Sequence, residues 1–447
     1  MYDVIIIGAR VAGAATALLL AKKGLQVLLV DKTAFPADTV STHLLQPRAL
    51  AYLYHWDLIN ELKEITPVLN SFCYTREDVS FTSAPSRLDL EKTLNQDHGW
   101  STSHDGSPIP VEWRIIRRKL LDPLIVNAAI KAGAEFRDSF LVDSIFFENN
   151  QADGIIFTNP QGQKEIIKAK FVVIANGRLS RLMHKASSVI TYNHPKQEFC
   201  FYNYFSGVDS SGLKIPVHIR VKYGLAYGPT NEDKHILSVW GPSAFGRQFY
   251  QDLEKNFYSI VRFCYPELAD RLVESKAEEQ FKGMIAVSNT DRQAIGPHWL
   301  AVGDAASCLS QSTAIGITNA FRDAEFAAHY LAEAFAGHLS IEEATEAYSV
   351  KHYQDLEGYF KFVCETSECN LATQEQIALL QALSHNPEQA SHLLAVIGRI
   401  LPVASFFNPD NIQQIMANAN ADETMSLAFI QNFSRLQSHY ENQQPWQ

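Results

Sequence analysis

Val4-Ile5-Ile6-Ile7 is an unbroken β-branched run, the pattern of a strand buried on both faces, and Gly8 ends it. The Ala- and Leu-rich stretch Ala14 to Lys23 predicts a helix stopped by Gly24. A second apolar strand, Gln26 to Val30, ends in Asp31, so one βαβ unit is complete within about 31 residues. Residues 115–136 read as a helix leading into short strands near Phe140–Phe147 and Ile155–Phe157. Phe171 to Ala175 is a buried strand that meets a turn at Asn176-Gly177.

From about residue 190 to 290 the pattern changes to aromatic, alternating strands: Phe199–Phe205, Val217–Val221 and Ile236–Trp240. Alternation sends Phe201, Asn203 and Phe205 to one face and Tyr202 and Tyr204 to the other. Trp299 to Val302 returns to an apolar strand, followed by Gly303-Asp304, a loop and a helix from Thr318 to Phe335. Beyond about residue 340 the chain is mostly helical to Ala419, and the polar tail 434–447 is expected to fray.

At 447 residues the chain is long enough for two or three domains and a large core. With 46% hydrophobic and 19% charged residues it belongs with ordinary globular proteins rather than disordered ones. A net charge of -11 argues against nucleic acid, whose phosphates need a basic face, and points to a small-molecule partner. Cys73, Cys200, Cys264, Cys308, Cys364 and Cys369 form no CxxC pair and no zinc spacing, so they read as reduced core thiols and no metal site is expected. No secretory signal pattern opens the chain, which makes the cytoplasm the expected location. No run of about 18 apolar residues occurs, so no transmembrane segment is expected, while surface attachment stays open.

The chemistry sits at the ends of the apolar strands. In a dinucleotide fingerprint one glycine makes the turn, one lets a diphosphate approach the backbone, and one lets helix and strand pack closely. Gly8 and Gly13 fit the outer positions; the middle one is Arg10. The placement after a strand, at a helix N-terminus and ahead of an acidic residue, Asp31, favours this reading over an incidental glycine-rich turn. At Gly303-Asp304 a strand again ends in Gly-Asp, and Gly316-Ile317-Thr318 opens a helix. A carboxylate there can accept from a sugar-like hydroxyl, although Gly-Asp after a strand is also an ordinary turn.

These residues resemble the FAD-dependent monooxygenases of the para-hydroxybenzoate hydroxylase type, with their halogenase and prenyl-reductase relatives, over nearly the whole chain. The resemblance implies an α/β fold: a Rossmann-type FAD-binding domain (1–75, 115–188 and 291–340), an inserted antiparallel β-sheet substrate domain (76–114 and 189–290) and a helical C-terminal region (341–447). It assigns Gly8, Arg10, Ala12, Gly13, Asp31 and Lys32 to the ADP half of FAD, and Asp304, Gly316, Ile317 and Thr318 to the ribityl chain and flavin ring. Arg118, in Arg117-Arg118-Lys119-Leu120, matches an Arg that faces the cofactor, or else bonds a neighbouring carboxylate. Val142 falls where backbone meets adenine. Ser41-Thr42-His43 and Gln46 fall beside the ribityl chain, where His43 reaches the ring or substrate, or is satisfied by a loop carbonyl. A sub-branch of FAD-dependent oxidoreductases is marked by Pro229-Thr230-Asn231, Ala320 to Glu325 and Phe406 to Asn411, with Arg322 and Asp323 readable as an ion pair.

Two departures alter the expectation. The family's Asp-Gly-Arg is Asn176-Gly177-Arg178 here, which removes a charge from a segment that supports NAD(P)H use. The loop after Asp304 reads Ala305 to Thr313 without the family's His and Pro residues. The halogenase Trp-x-Trp-x-Ile-Pro motif is absent, and the prenyl-reductase aromatic motif survives only as Tyr223 and Tyr227-Gly228-Pro229. The resemblance therefore implies NADPH or NADH as reductant and O2 as co-substrate, with an apolar or aromatic molecule oxygenated through a flavin hydroperoxide. A separate flavin reductase is the alternative electron source. A reductase, dehydrogenase, oxidase or halogenase relative is the second reading, and a flavin-binding module without turnover the third. No catalytic side chain is assigned.

Overall fold

A computed structural model of the protein describes residues 1–41, 43–195, 197–209 and 216–419; Thr42 and the tail 434–447 lie outside them. The chain forms two compact units. One comprises Met1–His43, Arg117–His194 and Ser288–Phe360; the other comprises Leu44–Ile116, Pro195–Val287 and Lys361–Gln447.

Three seams differ from those expected. Residues 44–75 join the second unit, because strand Phe72–Arg76 pairs with Val79–Ser83 and with Pro216–Arg220. Residues 189–194 join the first, because strand Ile190–Asn193 pairs with Thr290–Arg292. Residues 341–360 also join the first: Tyr348 donates to Ala301 O at 2.7 Å and Tyr353 to Arg292 O at 2.6 Å.

In the first unit, five strands run parallel in the order Trp299–Ala301, Lys164–Ile174, Tyr2–Ile7, Val27–Val30, Glu135–Arg137. Their interior positions are apolar because both faces of a parallel sheet are covered. Ile7 pairs with Ile174 and with Val30, so three strands end level, at Gly8, Ala175 and Asp31. Strand order reverses around Tyr2–Ile7, and the crevice at such a reversal is where open α/β sheets bind ligands. Strand Lys164–Ile174 serves two structures. Its first half pairs antiparallel with Gln151–Thr158, and its second half enters the parallel sheet.

Helix Val11–Lys22 is buried along nearly all of its length. Its alanines permit close packing against helices Arg118–Lys131 and Gly316–Phe335. The expected helix over 115–136 is shorter, at Arg118–Lys131, because Arg114–Ile115 is a strand and Glu135–Arg137 joins the sheet. The helix expected from Thr318 begins two residues earlier, at Gly316.

The second unit is built on one sheet, in the order Lys276–Ala277, Glu198–Ser206, His235–Pro242, Tyr223–Pro229, Pro216–Arg220, Phe72–Arg76, Val79–Ser83. It is not wholly antiparallel: Pro216–Arg220 and Phe72–Arg76 run parallel, joining the hairpin from early in the sequence to the later strands. The expected alternation holds. Phe199, Phe201 and Phe205 pack with Phe249, Phe257, Ile260 and Leu268 of the helices after the sheet, whereas Tyr202 and Tyr204 pack with Leu69, Trp113 and Ile115 on the other side. Phe249 stacks on Phe199 with centroids 4.4 Å apart, and burial of each such ring contributes about 1.5–3 kcal/mol.

The C-terminal helices Gln374–Ser384, Pro387–Ile397 and Pro409–Ala419 are as helical as expected and pack on the Val79–Ser83 hairpin. The motif around Phe406 to Asn411 shows its structural purpose: Asn408 Oδ1 accepts from Asn411 N–H at 2.9 Å, and Pro409 occupies the first helical turn.

Candidate functional site

The site grows from the level ends of the parallel strands. Gly8 has φ +108, and a Cβ built there would stand 2.4 Å from Ala175 O. A Cβ on Gly13 would stand 1.8 Å from Gly8 O. Both positions therefore demand glycine, one for the turn and one for contact between helix and strand. Helix Val11–Lys22 begins with no side-chain cap and no acidic residue in its first turn, so its first N–H groups are available to an anion.

Asp31 is buried. Its Oδ2 accepts from Ala9 N–H and its Oδ1 from Thr33 N–H, each at 2.8 Å, so it shapes the glycine turn while keeping lone pairs for a ligand hydroxyl. The Asp31 backbone bonds Arg137 O and the Phe140 N–H, which brings the start of strand Val142–Glu148 beside it. Lys32 is exposed, while Ala12 and Val142 are buried.

Arg10 does not point along its own helix. Its Nη1 donates to Ala37 O at 2.6 Å and to Asp122 Oδ2 at 2.9 Å, and its guanidinium lies over the Phe35 ring. Arg118 Nε takes the other oxygen of Asp122, at 2.6 Å. Arg118 thus has the neighbouring carboxylate that was its alternative reading, and Asp122, fully buried, ties both arginines together. Arg117 pairs with Asp38 at 2.9 Å.

Gly303 has φ +60, and a Cβ there would lie 2.9 Å from Ala12 Cβ, so the second Gly-Asp turn rests on the first helix. The Asp304 side chain reaches solvent, yet the surrounding protein displaces much of its water. That desolvation pushes its pKa above the ordinary value of 3.8; Arg178 and Arg118 oppose the rise and Asp323 adds to it. The Asp304 carboxylate accepts no hydrogen bond among the described residues. Beyond it, helix Gly316–Phe335 starts with no side-chain cap. Gly316 opens onto free space, while Ile317 and Thr318 are buried.

The expected loop 305–313 is partly ordered: Ser307–Cys308 is a short strand against Thr290–Asp291, and Gln311–Thr313 a 3-10 turn with Ser310 as its cap. Cys308 sits beside Asp304, its thiol pushed up to about 12 by burial and then by the Asp304 charge.

His43 is buried at φ 60, with its N–H 3.2 Å from Ser41 Oγ. Gln46 belongs to the second unit, where its Oε1 accepts from Trp113 Nε1 at 2.9 Å. Arg322 and Asp323 are not an ion pair: Arg322 pairs with Asp355, while Asp323 accepts from Gly303 N–H and faces His352. Asn176, at the departure from Asp-Gly-Arg, is exposed.

Sequence reasoning gave no place at the site to Asp122, Arg178, Asp323 or His352. The spacing of Asp122, one turn after Arg118, was a usable signal. Nothing in the sequence marks His352.

Residues 1–352 match the FAD binding domain family. The probable electron transfer flavoprotein-quinone oxidoreductase YgcN of Escherichia coli is 30% identical over 184 residues, which cover 41% of this chain and 37% of that protein. The chain thus spans little more than a third of the length of that relative. The flavin-dependent halogenase armH3 of Armillaria mellea is 22% identical over 96% of this chain and 83% of its own. Among solved structures, a flavoprotein/dehydrogenase from Cytophaga hutchinsonii superposes with a TM-score of 0.71 at 15% identity, over 97% of this chain and 99% of that one. The chain belongs to the FAD binding domain family.

The residues present fit FAD on three counts. The Gly8–Gly13 cradle is one that any Cβ would fill. Thr318 Oγ1 and Arg178 Nη1 are buried polar atoms with no hydrogen-bond partner among the described residues. Two uncapped helix N-termini open at the strand ends. Unpaired buried polar atoms are costly unless a ligand meets them.

The raised pKa of Asp304 gives a prediction with a definite sign. Its ionised form costs the folded protein stability above the unfolded value of 3.8, and the cost grows as pH rises through the folded-state titration. Asp304→Asn is therefore expected to raise the melting temperature of the apoprotein at neutral pH and to leave it unchanged in acid. It should also weaken FAD binding about tenfold, the worth of one charged hydrogen bond. Melting curves at both pH values with a flavin titration check this, and a neutral-pH melting temperature below wild type would contradict it.

Proposed function

We propose that this chain is a monooxygenase that uses NAD(P)H and O2 to oxygenate an apolar or aromatic small molecule. The observation that carries the reading is the pair of turns, Gly8–Gly13 and Gly303–Asp304, each at a strand end and each followed by an uncapped helix N-terminus. Gly8, Gly13 and Asp31 would hold the ADP half, with the N–H groups of helix Val11–Lys22 facing the diphosphate. Asp304, Thr318 and the N-terminus of helix Gly316–Phe335 would hold the ribityl chain and ring. Arg10 and Arg118, fixed on Asp122, set the walls of the first turn. Bound FAD supplies electron acceptance from a nicotinamide and activation of O2.

The protein's part is to orient, to exclude water and to place charge. Arg178 and Arg118 place positive charge near Asp304, so the carboxylate there is balanced rather than isolated. In the second unit, Leu69, Trp113, Ile115, Tyr202, Tyr204 and Ile236 make a buried apolar, aromatic core behind the sheet. A second reading, an FAD-dependent reductase or dehydrogenase, is favoured by Asn176, since the family's carboxylate is missing there. The halogenase reading draws on armH3 and lacks the halogenase tryptophan motif.

Holo-protein supplied with NADPH or NADH, labelled O2 and a panel of apolar aromatic substrates tests the proposal. One labelled oxygen atom in product is expected. Product formed without oxygen would favour the reductase reading and overturn the monooxygenase.

A further inference from the structure

Behind the Gly303–Asp304 turn runs a chain of side chains that the flavin site does not itself explain. Asp323, on helix Gly316–Phe335, accepts from Gly303 N–H through Oδ2 at 2.8 Å. Its Oδ1 faces His352 Nδ1 at 2.8 Å. The other ring nitrogen, Nε2, is 3.2 Å from Ser307 Oγ, and the Ser307 hydroxyl donates to Asp291 Oδ1. Thr191 donates to Asp291 Oδ2 at 2.7 Å. Asp323, His352 and Ser307 are all buried.

Counting protons along the chain gives the charge at which each of these contacts is a hydrogen bond. A carboxylate only accepts, so Nδ1 of His352 carries a proton toward Asp323. Ser307 has one hydroxyl proton and gives it to Asp291, so toward His352 it can only accept, and Nε2 carries a proton too. A ring protonated on both nitrogens is an imidazolium. Here it lies between carboxylates from two other elements, Asp323 on the helix and Asp291 on strand Thr290–Arg292. Tyr348 and Tyr353, on its own helix, are further titratable groups facing it, with ring centroids 5.8 and 5.2 Å away. Both phenol hydroxyls are given to backbone carbonyls, of Ala301 and Arg292.

The arrangement has the order of a Ser-His-Asp triad without its chemistry. Ser307 is buried and its proton is held by Asp291, so it is no nucleophile. What the chain controls is the orientation of Asp323, and through it the backbone of Gly303, next to Asp304. We propose that His352, held as an imidazolium between Asp323 and the Ser307–Asp291 pair, is a positioning residue that locks the Gly303–Asp304 turn in the form that meets FAD. The proposal rests on the reading that Asp304 faces FAD.

Flavin fluorescence titration of the apoprotein across the neutral pH range, with the ring nitrogens of His352 followed by 15N NMR in the holo-protein, tests it. Wild type should show both ring nitrogens protonated below neutrality and an FAD affinity that falls as the ring loses its proton. His352→Leu should bind FAD about tenfold more weakly, as expected for loss of one charged hydrogen bond, and should show no pH step. His352→Asn keeps an N–H toward Asp323, so it should recover most of the affinity without the pH step. A neutral ring in wild type, or His352→Leu with wild-type affinity and pH profile, overturns the proposal. If Asp304→Asn also leaves FAD affinity unchanged, the FAD-facing reading of Asp304 has failed; if Asp304→Asn weakens binding and His352→Leu does not, the positioning role alone is overturned.

Discussion

Gly13→Ala is expected to abolish FAD binding and to destabilise the apoprotein by about 3 kcal/mol, the upper range for forcing an extra methyl into a packed site. The added Cβ would stand 1.8 Å from Gly8 O and 3.0 Å from Ala175 Cβ, so it meets backbone that belongs to the neighbouring strand end and cannot swing away. Relief requires helix Val11–Lys22 to lift off the sheet, which moves the N–H groups proposed to face the diphosphate. Gly316→Ala is the control. A Cβ there meets nothing within 4 Å, so the protein should fold as well as wild type, and any loss of FAD affinity then reports a ligand in that space. Urea unfolding of the apoproteins, paired with FAD titration, separates the two effects.

Asp122→Ala is the second large effect, expected to cost about 3 kcal/mol. Asp122 is completely buried and gives one oxygen to Arg10 and the other to Arg118. Removing it leaves Arg118, itself buried, without the carboxylate that holds it, and leaves Arg10 held by the Ala37 carbonyl without its charge partner. Breaking a buried pair on one side costs more than the pair contributes, because the remaining charge stays desolvated. Asp122→Asn keeps an acceptor and should cost less. Urea denaturation of the three proteins gives the ranking, and equal midpoints would show that the two arginines find other partners.

Much of the first unit was legible because its signals are local. Val4 to Ile7 can only be a buried strand; Gly8, Gly13 and Asp31 follow at the spacing that a βαβ turn needs; and the Phe201 and Tyr202 alternation sorts itself onto two faces. The seams were less legible. Phe72–Arg76 pairs in parallel with Pro216–Arg220, about 140 residues later, and no local pattern announces a non-local ladder of that kind. The region after residue 340 was read as a single helical cover because helical periodicity does not say which unit a helix packs on. Tyr348 and His352, one turn apart on helix Ile341–Ser367, commit its first part to strand Trp299–Ala301 and to Asp323, which holds the turn after that strand.

The glycines, Asp31, Asp304 and Thr318 were proposed for the site from strand ends and helix starts. The buried polar chain through Asp323 and His352 was not, because Thr191, Asp291, Ser307, Asp323 and His352 lie on separate elements and meet only after folding. Arg322 and Asp323 illustrate the limit. Adjacent residues of opposite charge invite pairing on paper, but successive side chains on a helix point about 100° apart, and each finds its partner on another turn or element.

The most direct test is to titrate the apoprotein with FAD and with FMN under the same conditions. Gly8, Gly13, Asp31 and the N-terminus of helix Val11–Lys22 are assigned to the ADP half, which FMN lacks, so FAD should bind at least about a hundredfold more tightly, corresponding to roughly 2.7 kcal/mol from that half. Equal affinity for the two flavins would contradict the account, because the cradle at the strand ends would then contribute nothing to holding the cofactor.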